Sequence, residues 1–164
     1  MRIDHFPQRM KELTNQMEAT HSDPVWRDRA DFIIAAPVDP TETEAVSEQL
    51  WARRIEDYRF EICCIPFFVY DLTLGDVVET TPEFLVERVS ERSGRYVFRV
   101  FFGETPFPQL ATTSALASLG ALLEWSSPNL LAVDAPDETR AKSIADFLQE
   151  QEDQSILFYE TGKS

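Results

Sequence analysis

The sequence predicts an α+β protein. An N-terminal helix and a small antiparallel β-barrel-like part precede a ferredoxin-like β-α-β-β-α-β part. Three observations predict it. Short apolar segments, separated by turn residues and showing little helical spacing, fill about 70 residues up to position 102. After residue 105 the pattern changes to helical stripes interleaved with strands. A chain that is 43% hydrophobic and 27% charged can bury a core. The expected organisation is an amphipathic arm over 1–28, a barrel-like domain over 29–104, and a ferredoxin-like half over 95–164. The last two share the strand at 95–102.

Taken in order, Phe6, Met10, Leu13 and Met17 recur at helical spacing and predict an amphipathic helix over residues 6–18. Residues 31–38 read as a first strand ended by Pro37, and 47–54, with Trp51, as a second. In 58–65, Tyr58, Phe60 and Ile62 alternate with polar neighbours, as in a strand buried on one face. Pro66 makes the following apolar run a strand edge or turn. Gly75 begins a turn into a strand, 84–89 is another strand, and Ser93-Gly94 turns the chain into 95–102. Thr112 or Thr113 is the expected cap of a short helix stopped by Gly120. Residues 122–125 and 130–134 form a predicted hairpin. Asp134 is the expected cap of a second helix, whose buried stripe is Ala141, Ile144, Ala145 and Leu148. Residues 155–159 are the expected last strand.

There are 29 acidic and 15 basic residues, a net charge of −14 spread over both halves of the chain. Such a surface repels phosphate backbones and anionic membranes, and suits a basic partner. Solubility alone is the plainer account of the acidity. No apolar run is long enough for a membrane span, and the first residues lack the pattern of a secretory signal. The two cysteines, Cys63 and Cys64, are adjacent. They form neither a disulfide framework nor a metal pattern and suit a reducing cytoplasm, with one in the core and the other on the opposite strand face.

Little chemistry is visible. His5 and His21 lie outside the predicted sheets, and no phosphate loop or nucleophile elbow is present. No catalytic residue, cofactor or metal is expected. Carboxylate pairs such as Glu87 with Glu91, or Asp71 with Asp76, could serve acid–base work, but among 29 acids any pair can be picked. Seven arginines cluster from Arg53 to Arg99. Pairing with Glu87, Glu91 and Asp57 is the plain reading, and holding a small anion the functional one.

Leu50-Trp51-Ala52-Arg53, Ile65-Pro66-Phe67-Phe68, Gly75-Asp76-Val77-Val78, Arg92-Ser93-Gly94 and Leu130-Leu131-Ala132-Val133 together carry a resemblance. Over roughly residues 30–161 the chain resembles the bacterial family catalogued as domain of unknown function 4265. The Cys63-Cys64 pair departs from the more polar residue expected before Ile-Pro. The resemblance implies a bacterial cytoplasmic protein and transfers no catalytic residue. By analogy of class, small acidic proteins of this kind resemble immunity proteins. The expected function is therefore non-enzymatic: an immunity protein that neutralises a basic, nuclease-like toxin, with no nucleic-acid or membrane partner. The expected contacts are Glu42, Glu44 and Glu48 in one loop and Glu150, Glu152 and Asp153 in another region. The alternative is a small-molecule-sensing module anchored by Arg53, Arg92 and Arg95.

Overall fold

The structure, a computed structural model, describes residues 18–39, 43, 45–103 and 109–162. The expected N-terminal helix falls almost wholly outside these residues, as do Glu42 and Glu44. The described part of the arm lies on the first sheet. The Ala19 N–H donates to the Ser47 carbonyl (2.9 Å), and the Gln49 N–H donates to that of Ala19 (2.8 Å). A single 3-10 turn follows at Arg27–Arg29.

Five strands form the first sheet in chain order: β1 (Phe32–Pro37), β2 (Ser47–Glu56), β3 (Arg59–Ile62), β4 (Val77–Thr80) and β5 (Val86–Glu91). All are antiparallel to their neighbours. Opposite residues on one face, Ile34 with Leu50, Ala52 with Ile62 and Phe60 with Val78, are buried, as period-two alternation requires. Bulges in β2 and in the β4–β5 pairing bend the sheet. One isolated parallel bridge, Ala35 with Leu85, links β1 to the residue just before β5. The sheet curls without closing, which corrects the expectation of a barrel: one bridge does not make a ladder.

The second sheet comprises β6 (Tyr96–Phe101), β7 (Leu122–Ser127), β8 (Leu130–Ala135) and β9 (Phe158–Thr161) in the order β7-β8-β6-β9. Every pairing is antiparallel. Two helices, α1 (Gln109–Ser118) and α2 (Glu138–Asp153), interrupt the strands. Their core contains Phe98, Val100, Phe102, Leu116, Leu131, Val133, Ile144 and Leu148. Every residue of β8 is buried, because helices cover one face and the first half of the chain covers the other.

Several local expectations are corrected. The α2 cap is Asp137, whose side chain accepts the Arg140 N–H; Asp134 lies within β8. Helix α1 starts at Gln109, so Thr112 and Thr113 lie inside it. Strand β9 begins three residues later than the start predicted at 155. The intervening residues end the helix, with Ser155 at φ 60°. Both cysteines are buried, since the chain after β3 runs between two packed layers. In this junction Ile65, Phe67, Val97 and Ala132 form a small separate core. Burying Phe67 alone contributes about 1.5–3 kcal/mol of transfer free energy.

Candidate functional site

Two polar constellations stand out, one sealed and one open. The sealed one lies at the junction of the sheets. His21 comes from the arm, Glu48 from β2 and Glu124 from β7. The imidazole lies between the carboxylates, with Nε2 2.6 Å from Glu48 and Nδ1 2.8 Å from Glu124. Its ring stacks on Phe67 with centroids 3.9 Å apart.

The carboxylates also satisfy backbone that no strand can reach. Glu48 accepts the N–H groups of Phe67 (2.8 Å), Phe68 (2.8 Å) and Val69 (3.2 Å). Glu124 accepts those of Ile65 (2.5 Å) and Val25 (3.4 Å). A buried loop must find such partners, because an unpaired buried N–H is costly.

Burial works against charge on His21, but Cys64, Glu124 and Glu48 outweigh it and raise its pKa from 6.5 to about 12. Burial pushes the Cys64 thiol up, and His21 opposes the rise. Cys63 is pushed up to about 12, chiefly by burial. Both ring nitrogens of His21 are taken up by carboxylate oxygens. This constellation staples the arm and the two sheets together.

The open constellation is a cleft of about 250 Å³ lined by Asp71, Thr73, Asp76, Arg92, Gly94, Arg95 and Tyr96. Asp76 is its buried foundation. One carboxylate oxygen accepts the Thr73 hydroxyl (2.9 Å) and the Ser93 N–H (2.8 Å). The other accepts the Thr73 N–H (2.9 Å) and lies 3.4 Å from Arg92 Nη1. That nitrogen also donates to the Asp71 carbonyl (2.5 Å).

Gly75, at φ +83°, makes the turn possible. A Cβ there would meet Ser93 at 3.1 Å and Trp26 at 3.4 Å. Arg95 forks onto Asp134 (Nε 3.0 Å from Oδ1, Nη2 2.5 Å from Oδ2) and lies 5.4 Å from the centre of the Trp26 ring. Burial raises the Asp134 pKa while Arg95 opposes the rise.

The structure thus brings Arg92 and Arg95 together and leaves Arg53 elsewhere, 3.2 Å from Glu61. All seven clustered arginines have carboxylate partners, but of the expected acids only Asp57 and Glu91 take part, with Arg54 and Arg59; the other five pair with Glu61, Glu79, Asp76, Asp134 and Glu160. Glu48 is fully buried and cannot meet a partner, which corrects its assignment as a contact. It points inward because it is in phase with Leu50 and Ala52, a signal present in the sequence. Glu150 and Asp153 are exposed at the end of α2, while Glu152 is half-buried and accepts the Tyr159 N–H (3.0 Å).

Sequence reasoning missed His21, Glu124 and Asp134. The last two share the signal of an acid within an apolar strand. His21 has no such mark. Asp71 and Asp76 do share a site, yet Asp76 is saturated with hydrogen bonds. Among the described residues no group of His, Cys, Asp and Glu could hold a metal ion, and no helix is long and apolar enough to cross a membrane.

Comparison with known proteins places this geometry. Residues 48–159 match the model of the domain of unknown function DUF4265, and the chain belongs to that family. A solved structure described as a hypothetical protein from Neisseria gonorrhoeae has the same fold. Its TM-score is 0.70 at 21% identity, covering 80% of this chain and 93% of that one. No curated protein matches the chain.

Proposed function

As a member of the DUF4265 family, whose description assigns no activity, the chain is best read from its own cleft: we propose a non-enzymatic, cytoplasmic module that binds a small polar molecule. The observation that carries this reading is the convergence of Arg92 and Arg95 on one concave surface. Buried Asp76 and Asp134 fix the two side chains from beneath. Preorganised donors lower the ordering cost of binding. The cleft volume falls just below the roughly 300–1,000 Å³ of drug-sized sites, which suits a metabolite-sized ligand. We read the strand order β7-β8-β6-β9 with its two helices as a ferredoxin-like layout, with the cleft beside the turn from β5 to β6. The test is a thermal-shift panel of metabolites, repeated with Arg92→Gln. A ligand that stabilises the parent and not the variant supports the reading; no stabilisation by any ligand class counts against it.

A second reading keeps the acidic inhibitor of a basic toxin. It rests on Glu150 and Asp153, exposed at the negative dipole end of α2, where the last turn has no basic residue. A cationic partner would relieve that repulsion and associate quickly at low salt. A low-salt pulldown followed by a salt wash tests it: recovery of no basic protein removes it.

A further inference from the structure

Resting on the cationic partner of the second reading, we propose that Phe101 and Phe158 are the apolar anchor of the face on which that partner docks. The partner presents a segment with an apolar side chain between lysines or arginines. The two phenylalanines stand opposite each other in β6 and β9. Period two puts them on one sheet face with Arg99 and Glu160. The first half of the chain buries Val97 and Arg99 on that face and stops short of the pair: Phe158 is 67% exposed and Phe101 45%. Aromatic side chains are enriched at the centres of protein interfaces, where they fill apolar contacts at low ordering cost.

The surroundings of the pair select the partner. Ala135, opposite Tyr96, leads into α2, and α2 ends at Asp153, shortly before Phe158. The C-terminus of the helix and the aromatic pair therefore lie at the same end of the sheet. Residues 143–162 hold five acids, Asp146, Glu150, Glu152, Asp153 and Glu160, and no lysine or arginine. The flanking lysines belong to the other end: Lys142 is early in α2, and Lys163 follows Gly162, whose N–H donates to the Val97 carbonyl (2.9 Å). Glu160 is answered by buried Arg99 (3.3 Å), while Glu150 and Asp153 stand exposed at the negative end of the helix dipole. Burial, then the charges of Glu152, Asp153 and Asp146, hold the Tyr159 hydroxyl above its usual pKa, so their field reaches β9. An apolar centre with a rim of one sign fits a partner with a cationic rim. A second copy of a chain of net charge −14 brings the wrong sign. Glu152 accepts the Tyr159 N–H (3.0 Å) at the strand edge, which directs the partner to the face and not to the edge.

The experiment is selection of a displayed random peptide library on the immobilised full chain, followed by calorimetric titration of the synthesised peptides. Phe158→Ser, Phe101→Ser, and Glu150→Gln with Asp153→Asn are titrated beside the parent, each with its unfolding midpoint measured. Amide chemical shifts of Phe101, Phe158 and Tyr159 locate the binding. The expected result is that selected peptides carry an apolar residue flanked by lysine or arginine. Either serine variant is expected to weaken their binding about tenfold or more. The paired acid changes should weaken it too and reduce its salt dependence.

If basic peptides are selected and respond to the acid changes but not to the serine variants, the face is wrong and the cationic-partner reading stands. If the selected peptides carry no positive charge and bind at Phe158 regardless of salt, the cationic requirement is wrong. If sedimentation shows that the free parent is a dimer and Phe158→Ser dissociates it, a second copy covers the pair. If Met10→Asp shifts the Phe158 amide in the free monomer, the chain's own first residues cover it. Either result overturns the docking face. If no peptide perturbs these amides in a well-folded protein, the docking face falls, and the low-salt pulldown alone decides the second reading.

Discussion

The junction and the cleft are built from the same materials: carboxylates, cationic side chains and backbone N–H groups. They differ in what is left over. At the junction, two carboxylates enclose one imidazolium and accept five backbone N–H groups, and the whole cluster is sealed. At the cleft, Asp76 meets Arg92 through one nitrogen and Asp134 holds Arg95 by one edge, and both arginines line an open concave surface. A saturated buried charge cluster specifies geometry; an unsaturated one at a surface can recognise a ligand. The burial of an ionisable group is therefore a poor guide to function until its partners are counted.

The most direct way to break the comparison is to unseal the junction. Glu48→Ala leaves an imidazolium with one partner and three loop N–H groups with none. Equilibrium urea unfolding is expected to show a loss of about 3–5 kcal/mol. A midpoint unchanged from the parent would mean that the loop finds water instead and that the cluster is no staple.

The pH dependence sharpens the same point. The folded-state pKa of His21 is raised to about 12 from 6.5. Its contribution is therefore complete below pH 6.5 and is lost as pH rises through 12. Between these values the folded state binds the extra proton, so stability falls with rising pH by at most about 1.4 kcal/mol per unit from this group. His21→Gln is expected to flatten that decline in urea midpoints measured across the alkaline range. An unaltered slope would place the titration elsewhere.

Gly75 links the two regions through Trp26 and Ser93. Gly75→Ala forces a side chain into a left-handed turn against close neighbours, and a loss of about 1–2 kcal/mol is expected. Trp26 fluorescence should shift with it; a variant of parental stability and spectrum would show that the turn has slack. The smallest expected effect is at the end of α2. Glu150→Gln with Asp153→Asn removes repulsion at the helix C-terminus and should add about 0.3–1 kcal/mol. If the acidic end serves a basic partner, the same pair of changes weakens that complex, and the salt dependence of its formation declines with it.

Much of the fold was legible in the sequence because alternation reports burial directly. Phe60 and Ile62 marked β3, which is shorter than the strand expected over 58–65 because Tyr58, at φ 62°, belongs to the exposed turn before it; the paired apolar runs of β7 and β8 predicted their hairpin. The misplacements have local causes. Asp134 and Asp137 both lie near the start of α2 and both look like caps; the strand reached far enough to claim the first. Ser155 seemed to open a strand because the sequence does not mark a residue that ends a helix with positive φ. Of the site, Arg92 and Arg95 were readable as a pair of cations on neighbouring turns. Arg53 looked equivalent and was not, since its strand faces Glu61.

By itself, the sequence determined the α+β class, the strands and their inward faces, the acidic surface and the family. These follow from local periodicity and composition, which act over a few residues. Only the tertiary structure decided that His21 would lie between Glu48 and Glu124, residues 27 and 103 positions away. It alone decided that the turn after β5 and the loop before β4 would form one cleft. Such contacts depend on how separate layers pack, and the charge of a residue carries no mark of the distant partner that will neutralise it.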